Sequence, residues 1–594
     1  MFPYPPQALL REDPPGRWLA FSRAVEELAT VAPSDLPALI DRAREASAQG
    51  LHAVCYVAYE AAPAFDPSWV TRSPEATAPV AWFGLFPPPI TVTDDELPSV
   101  ASYRLGPWEP SEDEGRYRQR IAAIREAIAA GTVYQVNYTM RLRADLEGHP
   151  WELFRDLWHA QRASFAAWLD LGETAICSVS PELFFELADG GITTRPMKGT
   201  ARRGRTTAED REIACRLAAS PKERAENLMI VDMARNDLGH VAVPGSVAVE
   251  RLFDVERYDS VFQMTSTVRA RTSADAWAAL AALFPAASIT GAPKSSAMAL
   301  IRDLEGSPRG LYTGAIGHVR PDGRGRFSVA IRTVTIDRVA ARATYGTGGG
   351  IVWDSRAEEE LQETHAKALV LRPRSDFALL ETLLWEPAQG YFLLRRHLDR
   401  LEDSAAYFAF PLDRAFLEVE LAERAVSFAP EACRRVRLLL SHDGRCTLED
   451  EALAVRPGPW RVALAREPVD SGDRFLFHKT THRAAYARAL ASAPAGVDDV
   501  LLWNEAGELT EATLANLVVC LEGRLLTPPV ASGLLGGTFR AELLARGEIE
   551  ERLLFREELA AADGIFLVNS VRRRVPAVLV APQGDEGSDP GQTR

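Results

Sequence analysis

A short polar break near residue 372 divides this chain into two unequal parts, and this division most constrains its fold. The break, residues 371–376, reads Leu-Arg-Pro-Arg-Ser-Asp and interrupts mixed helical and β-rich patterns. The chain has 594 residues, and domains usually have about 100–200, so length allows two to four domains. We predict a first domain over 1–372, a linker over 373–376 and a second domain over 377–580. The polar, Gly- and Pro-rich remainder, 581–594, is predicted to be disordered.

Composition and charge exclude several classes of protein. Hydrophobic residues make up 47% and charged residues 25%, which is typical of globular proteins. No apolar run approaches the roughly 18 residues that span a membrane, and no signal peptide is predicted. The net charge of −15 disfavours nonspecific nucleic-acid binding. The six cysteines form no CxxC pair, so neither a zinc site nor a disulfide framework is predicted, and the cytoplasm is the expected location.

Carboxylates occur in two helical patterns of the first part. Glu226 is followed by the apolar run 228–231, and a buried carboxylate there needs a partner because an unpaired buried charge is costly. Glu360 and Glu363 are three residues apart, so they project from one face of a helix. Clustered carboxylates suit Mg²⁺, which needs only one or two of them. The alternative is an ordinary surface pair, because Glu363 and Lys367 have i,i+4 spacing.

A lysine and a glycine cluster are further candidates in the first part. Lys198 lies in a strand-like stretch near Glu182, and a lysine shielded from water becomes a nucleophile or a base. A surface lysine on a strand is the alternative. The glycines in 346–350 offer backbone N–H groups that can bind a carboxylate, although a flexible turn has the same composition.

The ordered motifs of the first part resemble the chorismate-utilising enzymes, a family that includes anthranilate, aminodeoxychorismate, isochorismate and salicylate synthases. The resemblance extends from about residue 56 to residue 371. It implies an α+β fold in which large, mainly antiparallel sheets face each other around the site. The motifs occupy residues 180–185 and 195–200, 225–239, 288–294 with 312–315, and 327–333 with 346–350 and 358–367.

The resemblance assigns a role to each matched residue. Glu226 and Glu363, with Glu360 close by, correspond to ligands of Mg²⁺, which would hold the ring carboxylate of chorismate and help the C4 hydroxyl to leave. Glu182 corresponds to the general acid that protonates this hydroxyl. Substrate binding is assigned to Tyr312, Arg332, Thr290 and the backbone of Gly348, Gly349 and Gly350.

Three positions favour the aminodeoxychorismate type of synthase. Gln135 stands where the synthases that add water carry a lysine base. Lys198 stands where aminodeoxychorismate synthases carry a lysine that attacks C2 of chorismate before ammonia adds at C4, whereas anthranilate synthases carry a small residue. Phe284 stands where anthranilate synthases often have His. The sequence contains no candidate glutaminase segment, so the resemblance implies a separate glutamine amidotransferase partner that supplies ammonia.

The second part contains the groups that a pyridoxal phosphate site needs. Lys479 offers an amine for a Schiff base, Glu511 an acid for the pyridine nitrogen, and Arg400 a basic group for the phosphate. The run 536–538, Gly-Gly-Thr, precedes a helical pattern whose first N–H groups can bind phosphate. Each feature alone also fits an ordinary loop, strand-edge or helix-surface residue.

Together these motifs resemble the class IV aminotransferases, a family that includes branched-chain and D-amino-acid aminotransferases and aminodeoxychorismate lyase. The resemblance covers about 377 to 580 and implies a two-subdomain α+β fold. By this match Lys479 is the Schiff-base lysine and acid/base catalyst, and Glu511 pairs with the pyridinium nitrogen. The phosphate is assigned to Arg400, Gly537, Thr538 and the backbone near Asn516. Members of the family are usually dimers, so the resemblance also implies a homodimer through the second domain.

The two resemblances together imply a bifunctional enzyme. A lyase joined to the synthase that makes its substrate is chemically coherent, and the expected product is 4-aminobenzoate for folate, with pyruvate as the second product. One alternative is an anthranilate synthase joined to a true class IV aminotransferase. Another alternative is a synthase whose second domain is a catalytically inactive dimerisation module.

Overall fold

The computed structural model describes residues 4–12, 16–75, 78–100, 102–371, 377–454 and 458–580. Its contacts divide the described residues into two compact units, of which the first comprises those within 1–203 and 213–371 and the second comprises 204–212 and those within 377–580. The predicted linker, 373–376, and the predicted disordered tail, 581–594, lie outside the described residues. Both units combine helices with sheets, so the predicted α+β class is confirmed. The sequence did not predict that the segment Gly204–Glu212 belongs to the second unit.

The strands of the first unit are mostly short, and many are buried along most of their length. They are β1 Ala8–Glu12, β2 Arg17–Phe21, β3 Glu26–Thr30, β4 His52–Val57, β5 Ala81–Phe86, β6 Ile90–Thr93, β7 Tyr103–Leu105, β8 Glu109–Pro110, β9 Gln135–Gly148, β10 Phe165–Asp170, β11 Thr174–Ser180, β12 Leu183–Ala188, β13 Gly191–Arg195, β14 Met197–Arg202, β15 Ala248–Arg257, β16 Val261–Arg271, β17 Gly291–Ala292, β18 Ala315–Val319, β19 Gly325–Val329, β20 Thr333–Asp337 and β21 Arg342–Ile351.

These strands form two large sheets, of 11 and 10 strands. The first has the order β17-β9-β21-β20-β11-β10-β1-β2-β6, with β7 and β8 beside β9, and the second has the order β14-β16-β13-β12-β19-β18-β4-β5-β3, with β15 beside β16. Every pairing between their described strands is antiparallel. One hydrophobic cluster joins Leu10 and Leu169 of the first sheet to Val54 and Trp82 of the second, so the sheets face each other as predicted.

Helices lie around these sheets, and two of them carry predicted site residues. The helix α5 begins with Pro221 after Ser220, whose hydroxyl accepts a hydrogen bond from the Glu223 N–H, and both features favour a helix start. The helix α8 has acidic residues in its first turn and Lys367 in its last, which suits the helix dipole. The helices are α1 Leu36–Ala48, α2 Glu114–Ala129, α3 Pro150–Gln161, α4 Thr207–Ala219, α5 Pro221–Gly239, α6 Ala276–Leu283, α7 Lys294–Leu304 and α8 Ala357–Ala368, and the part of α4 up to Glu212 belongs to the second unit.

The second unit contains a four-stranded antiparallel sheet, β23-β22-β24-β25, and an eight-stranded sheet, β28-β27-β26-β33-β32-β29-β30-β31, that includes parallel pairs. Two hydrophobic clusters that lie on separate sheets agree with the two subdomains that the resemblance implies. Its strands are β22 Leu379–Glu386, β23 Gly390–Tyr391, β24 Arg434–Leu440, β25 Cys446–Ala452, β26 Trp460–Leu464, β27 Asp499–Trp503, β28 Leu509–Ala512, β29 Asn516–Leu521, β30 Arg524–Thr527, β31 Glu550–Glu551, β32 Gly564–Asn569 and β33 Arg573–Leu579. Its helices are α9 Leu394–Phe408, α10 Arg414–Val426, α11 Ala484–Ala491 and α12 Thr538–Ala545.

The sequence predicts no membrane-spanning segment. Among the described residues, no helix combines the length and the apolar character that a bilayer crossing requires.

Candidate active sites

One pocket of the first unit, with a volume of about 150 Å³, brings together most of the residues that the sequence singles out. Strands β14 and β21 and helices α5 and α8 contribute most of its wall. Thr290 is fully buried and does not line the pocket, because its hydroxyl donates to the carbonyls of Ala286 and Ala287. Gly349 lies behind Glu360. The predicted residues that line the pocket are Glu182, Lys198, Glu226, Tyr312, Arg332, Gly348, Gly350, Glu360 and Glu363.

Lysines pair with the predicted metal ligands. The Lys198 Nζ lies 3.4 Å from the Glu226 Oε2, and the two side chains are 20% and 15% exposed. The Lys367 Nζ lies 2.8 Å from the Glu363 Oε1 and holds the pKa of Glu363 down at about 2. The i,i+4 pair that the sequence left as an alternative is therefore present, inside the pocket. The Lys367 amine also donates to the Gly348 carbonyl at 2.8 Å, which connects α8 to β21.

The pocket concentrates charged side chains of both signs. Burial raises the pKa of Glu360, whose carboxylate accepts a 2.6 Å hydrogen bond from Ser355, and the charge of Glu363 raises it further. Burial and the nearby Glu226 also raise the pKa of Glu223, a lining residue that the sequence analysis did not single out. Five glutamates line the pocket against three lysines and one arginine. Like charges this close favour a bound cation.

The donor set fits Mg²⁺ in its chemistry. Among the described residues, no three His, Cys, Asp or Glu side chains converge as a ready-made metal cage. Mg²⁺ does not need such a cage, because it keeps several waters and uses one or two carboxylates together with substrate oxygens. Glu226, Glu360 and Glu363 supply such hard oxygen donors to one pocket.

Glu182 has the properties of an acid that is protonated near neutral pH. It lies between β11 and β12 and is 4% exposed. Burial raises its pKa to about 7, although a 2.6 Å hydrogen bond from the Ser288 hydroxyl partly opposes this effect. A carboxyl group with such a pKa can deliver a proton to a leaving hydroxyl.

Two predicted substrate-binding residues, Tyr312 and Arg332, also line the pocket. The Arg332 Nη1 donates to the Gln161 Oε1 at 3.0 Å, and the guanidinium lies 5.4 Å from the centre of the Tyr258 ring. Arg332 has a positive φ of 49°, which directs the chain out of the regular strand just before β20. Burial raises the pKa of Tyr312 to about 12, so its hydroxyl stays a hydrogen-bond donor.

Gln135 lies beside the pocket, next to Gly350 and Lys198, and the sequence noted its position without predicting its state. It is 1% exposed, and neither its Oε1 nor its Nε2 has a hydrogen-bond partner among the residues that the structure describes. A Cβ atom built on Gly350 would lie 2.8 Å from the Lys198 Nζ and 2.9 Å from the Gln135 Nε2, so a side chain at position 350 would displace these two groups. A buried carboxamide without protein partners needs an explanation, and a ligand in the adjacent pocket or an ordered water can complete its hydrogen bonds.

The isosteric change Gln135→Met is expected to stabilise the protein and impair turnover. Removing two unsatisfied buried polar atoms should raise the free energy of unfolding by about 1 kcal/mol. Losing their hydrogen bonds to substrate should lower kcat/KM for chorismate about tenfold or more. Urea denaturation and steady-state kinetics measure the two effects. The control is Gln263→Met, because the Gln263 amide donates to the Gly199 carbonyl and accepts from Thr200, so this change should destabilise. A destabilised Gln135→Met protein would contradict this account.

Lysine usage is a signal that sequence reasoning missed. Only five of the 67 Lys and Arg residues are lysines. Lys198, Lys222 and Lys367 line the pocket of the first unit, and Lys294 pairs with Asp237 next to it. The fifth is Lys479. Four of the five lysines therefore lie at or next to the pocket of the first unit, and the fifth is the predicted Schiff-base lysine.

The second unit positions the groups predicted to bind pyridoxal phosphate. Burial and the positive charge of Arg400 lower the pKa of Lys479 to about 8, as expected for an amine that reacts with a carbonyl. Glu511 on β28 is 4% exposed, and burial raises its pKa to about 7. The Tyr486 hydroxyl and the Asn516 amide donate to its two oxygens at 2.7 and 3.1 Å, which fixes the carboxylate plane.

The turn before α12 is a cradle that fits a phosphate group. A Cβ atom built on Gly537 would lie 1.8 Å from the Asn516 Oδ1, so only glycine fits there. The Asn516 amide donates to the Leu535 carbonyl at 2.8 Å, and the Arg400 Nη1 donates to the Gly536 carbonyl at 3.2 Å. α12 begins at Thr538, and its first N–H groups attract anions. Lysine, carboxylate, arginine and glycine turn together fit pyridoxal phosphate.

Glu381 contacts Arg400 and His397, the two side chains that reach this turn, and its role was not predicted from the sequence. It lies on β22 with a side chain that is 1% exposed, and it accepts hydrogen bonds from the Arg400 Nε and Nη2 at 2.8 and 2.7 Å. Its Oε2 also lies 2.7 Å from the His397 Nδ1, and the His397 Nε2 lies 3.3 Å from the Thr538 hydroxyl. Both chains of contacts end at the predicted phosphate turn. A lone glutamate inside the apolar stretch Leu-Leu-Glu-Thr-Leu-Leu was the available signal.

The second unit should lose stability at acid pH, because Glu381 then becomes protonated. Burial alone would raise its pKa, but Arg400 and His397 hold it at about 2 against a usual value of 4.5. Because the folded pKa is depressed, the stabilisation is complete above pH 4.5 and is lost as the pH falls toward 2. Glu381→Gln should lower the free energy of unfolding at pH 7 by about 3–5 kcal/mol and remove much of this pH dependence.

Chemical denaturation between pH 7 and pH 3 measures this effect, and Glu386→Gln is the matched control. Glu386 lies on the same strand but forms a partly exposed ion pair with Arg573. Such pairs contribute about 1 kcal/mol or less. Equal losses in the two variants would show that the buried network has no special stabilising role.

Comparison with known families agrees with both resemblances. Residues 91–373 match the family model of the chorismate binding enzyme, and residues 378–580 match that of amino-transferase class IV. The chain therefore joins a domain of the chorismate binding enzyme family to a domain of the class IV amino-transferase family.

Individual relatives match the first of these domains. Aminodeoxychorismate synthase component 1 of Salmonella typhimurium is 43% identical over 279 residues, which is 46% of this chain and 61% of that protein. Anthranilate synthase component 1 of Streptomyces coelicolor is 40% identical over 264 residues, 44% of this chain and 51% of that protein. The chain thus spans about 60% or less of the length of these relatives. Anthranilate synthase component I of Streptococcus pneumoniae has the same fold, with a TM-score of 0.54 and 24% identity over 61% of this chain and 93% of that one.

Proposed function

We propose that this chain makes 4-aminobenzoate in two steps. The first domain, 1–372, converts chorismate and ammonia to 4-amino-4-deoxychorismate, and the second, 377–580, eliminates pyruvate from that intermediate. The observation that most directly supports the first step is the position of Lys198. Its amine points into the pocket between Glu226 and the amide of Gln135, which has no hydrogen-bond partner among the described residues. Anthranilate formation needs no lysine nucleophile at this position.

The synthase step uses residues that line the pocket from several strands and loops. Arg332, Tyr312 and the backbone of β21 bind the carboxylates of chorismate. The Lys198 amine forms a bond to C2, and the C4 hydroxyl leaves as water with the proton of Glu182. Ammonia then bonds to C4 while the bond from C2 to Lys198 breaks, and the Glu182 carboxylate recovers a proton from the new amine. This sequence leaves both side chains as they began.

Mg²⁺ is the cation proposed for this pocket. Glu226 and Glu363 hold it, with Glu360 beside them, and it supplies a Lewis acid where the hydroxyl departs. Chorismate is a dianion, and a cation held by Glu226, Glu360 and Glu363 offsets the repulsion between these carboxylates and the substrate.

Pyridoxal phosphate is the cofactor proposed for the second unit, where it supplies an electron sink. Lys479 holds the cofactor and then takes the proton from C4 of the substrate. Glu511 holds the pyridine nitrogen in its protonated form. Arg400, Asn516, Gly537 and Thr538 bind the phosphate. Loss of the enolpyruvyl group from C3 makes the ring aromatic and releases 4-aminobenzoate and pyruvate.

The proposal includes partners and a location. A separate glutamine amidotransferase subunit supplies ammonia, and the second domain forms a homodimer. The product serves folate synthesis in the cytoplasm. Size-exclusion chromatography with light scattering tests the dimer, and a mass corresponding to one chain would contradict it.

Product analysis tests the whole proposal. Purified protein with chorismate, Mg²⁺, ammonium and pyridoxal phosphate should release 4-aminobenzoate and pyruvate in equal amounts. Accumulation of 4-amino-4-deoxychorismate without 4-aminobenzoate would support the inactive second domain instead. Anthranilate as the sole product would support the anthranilate synthase alternative.

A further inference from the structure

A buried guanidinium, that of Arg309, contacts three separate segments at the pocket of the first unit. Arg309 follows α7 in the chain, and its side chain is 1% exposed. Its Nη2 donates to the Asn137 carbonyl at 2.7 Å, and its Nη1 donates to the Ile289 carbonyl at 2.9 Å and to the Thr313 hydroxyl at 3.2 Å. Asn137 and Ile289 line the pocket. Thr313 does not line it, but it directly follows Tyr312, which does.

Two buried glutamates fix the position of Arg309. The Glu305 carboxylate accepts from the Arg309 Nη2 at 2.7 Å and from its Nε at 3.1 Å, and such a bidentate pair defines the plane of the guanidinium. Burial alone would raise the pKa of Glu305, but the positive charges of Arg309 and Arg141 lower it, so the carboxylate stays ionised. The Glu60 carboxylate accepts from the backbone N–H groups of Arg309 and Gly310 at 2.7 and 2.8 Å.

The same ion pairs surround Tyr312, a predicted substrate-binding residue. The Arg141 guanidinium lies 5.3 Å from the centre of the Tyr312 ring and donates to the Glu305 carboxylate at 3.1 Å. A Cβ atom built on Gly346 would lie 2.1 Å from the Tyr312 Cγ, so the backbone of β21 packs directly against the ring. The Thr313 hydroxyl donates to the Tyr312 carbonyl at 2.5 Å. Both the ring and the backbone of Tyr312 are therefore connected to this buried network.

Stability alone is a weak reason for such a network. Removing two charges from water costs about as much free energy as their attraction returns, and apolar side chains of similar volume often stabilise a core equally well. An arginine offers something that apolar side chains lack, because its planar guanidinium presents five N–H donors in a rigid fork. The Arg309 fork meets groups on three segments of the chain, which favours a role in setting the distances between them.

We propose that Arg309 is a positioning residue of the synthase pocket. Through Thr313 it fixes where the Tyr312 hydroxyl meets a carboxylate of chorismate. Through the Asn137 and Ile289 carbonyls it fixes the spacing of two further pocket segments. Arg309 does not line the pocket, so it acts through these residues and not by contact with the substrate. The inference rests on the proposed synthase function, because that function assigns chorismate to the pocket.

Arg309→Lys in the full-length chain tests this role, with the rate of chorismate consumption as the readout. Lysine keeps the charge beside Glu305, but one ammonium group cannot reproduce the planar fork that reaches three segments. The KM for chorismate should therefore rise about tenfold or more. A purely structural defect would reduce the amount of active enzyme, which lowers the apparent kcat and leaves KM unchanged.

Arg302→Lys is the matched control for this variant. Arg302 forms an exposed ion pair with Asp303 at the end of α7, so its exchange should change neither kcat nor KM. Thermal unfolding of each variant shows whether it is folded. An unchanged KM for chorismate in folded Arg309→Lys protein would overturn the proposal.

Thr313→Ala and Thr313→Ser keep the test decisive if Arg309→Lys folds poorly. Only serine keeps the hydroxyl that joins the Arg309 guanidinium to the Tyr312 carbonyl. The KM for chorismate should be about fivefold higher in Thr313→Ala than in Thr313→Ser, and equal values would overturn the connection. A wild-type protein that consumes no chorismate would refute the synthase function itself. An active wild type with unchanged KM values in these variants would refute only the positioning role.

Discussion

Lys198→Ala is expected to abolish formation of 4-amino-4-deoxychorismate. The change removes the amine that attacks C2 of chorismate, so kcat should fall by on the order of 10³-fold or more. Chorismate should still bind, because Arg332, Tyr312 and the β21 backbone remain. Stopped assays that separate chorismate, 4-amino-4-deoxychorismate and anthranilate measure the outcome.

Lys198→Arg is the control that separates nucleophilic attack from charge. Arginine keeps the positive charge beside Glu226, which is 3.4 Å from the lysine amine. It cannot act as the nucleophile, because its guanidinium stays protonated. Both variants should therefore be inactive. Full activity in Lys198→Arg would show that the position provides only charge, and full activity in Lys198→Ala would support the anthranilate synthase alternative.

Lys479→Ala is expected to stop the reaction at the intermediate. The variant loses the amine that holds the cofactor and moves the C4 proton, so release of 4-aminobenzoate should fall by on the order of 10³-fold or more. The first step depends on residues of the other unit, so chorismate consumption should continue and 4-amino-4-deoxychorismate should accumulate. Chromatography quantifies 4-amino-4-deoxychorismate and 4-aminobenzoate in the same reaction. Formation of the intermediate is then the internal control for an intact first step.

A second measurement on the same variant addresses the inactive-module alternative. Wild-type protein with pyridoxal phosphate should show visible absorbance of the bound cofactor that resists dialysis, and Lys479→Ala should lose it. Identical spectra for both proteins, with unchanged release of 4-aminobenzoate, would show that Lys479 has no catalytic role.

Much of the fold and the chemistry could be predicted from the sequence, because motif order and residue type encode them locally. Lys198, Glu226 and Glu363 stand in short motifs on separate elements, and the sheets bring them into one pocket. Tyr117, Ile121 and Ile124 have the spacing of one helix face, and the observed helix α2, Glu114–Ala129, buries all three.

Other features depend on contacts between distant residues and could not be predicted in this way. The Glu381 network joins β22, α9 and the turn before α12, so nothing near Glu381 in sequence reveals its partners. Gln135 could be placed by resemblance, but the absence of partners for its amide follows from how β9, β14 and β21 meet. For the same reason, the sequence could not show that Thr290 lies behind the pocket wall.

The most direct test of the account is one reaction with the purified full-length chain. Chorismate, Mg²⁺, ammonium and pyridoxal phosphate are supplied together, and the aromatic products are separated and quantified. The account predicts 4-aminobenzoate with an equal amount of pyruvate, and no product when glutamine replaces ammonium. Anthranilate as the sole aromatic product would contradict it.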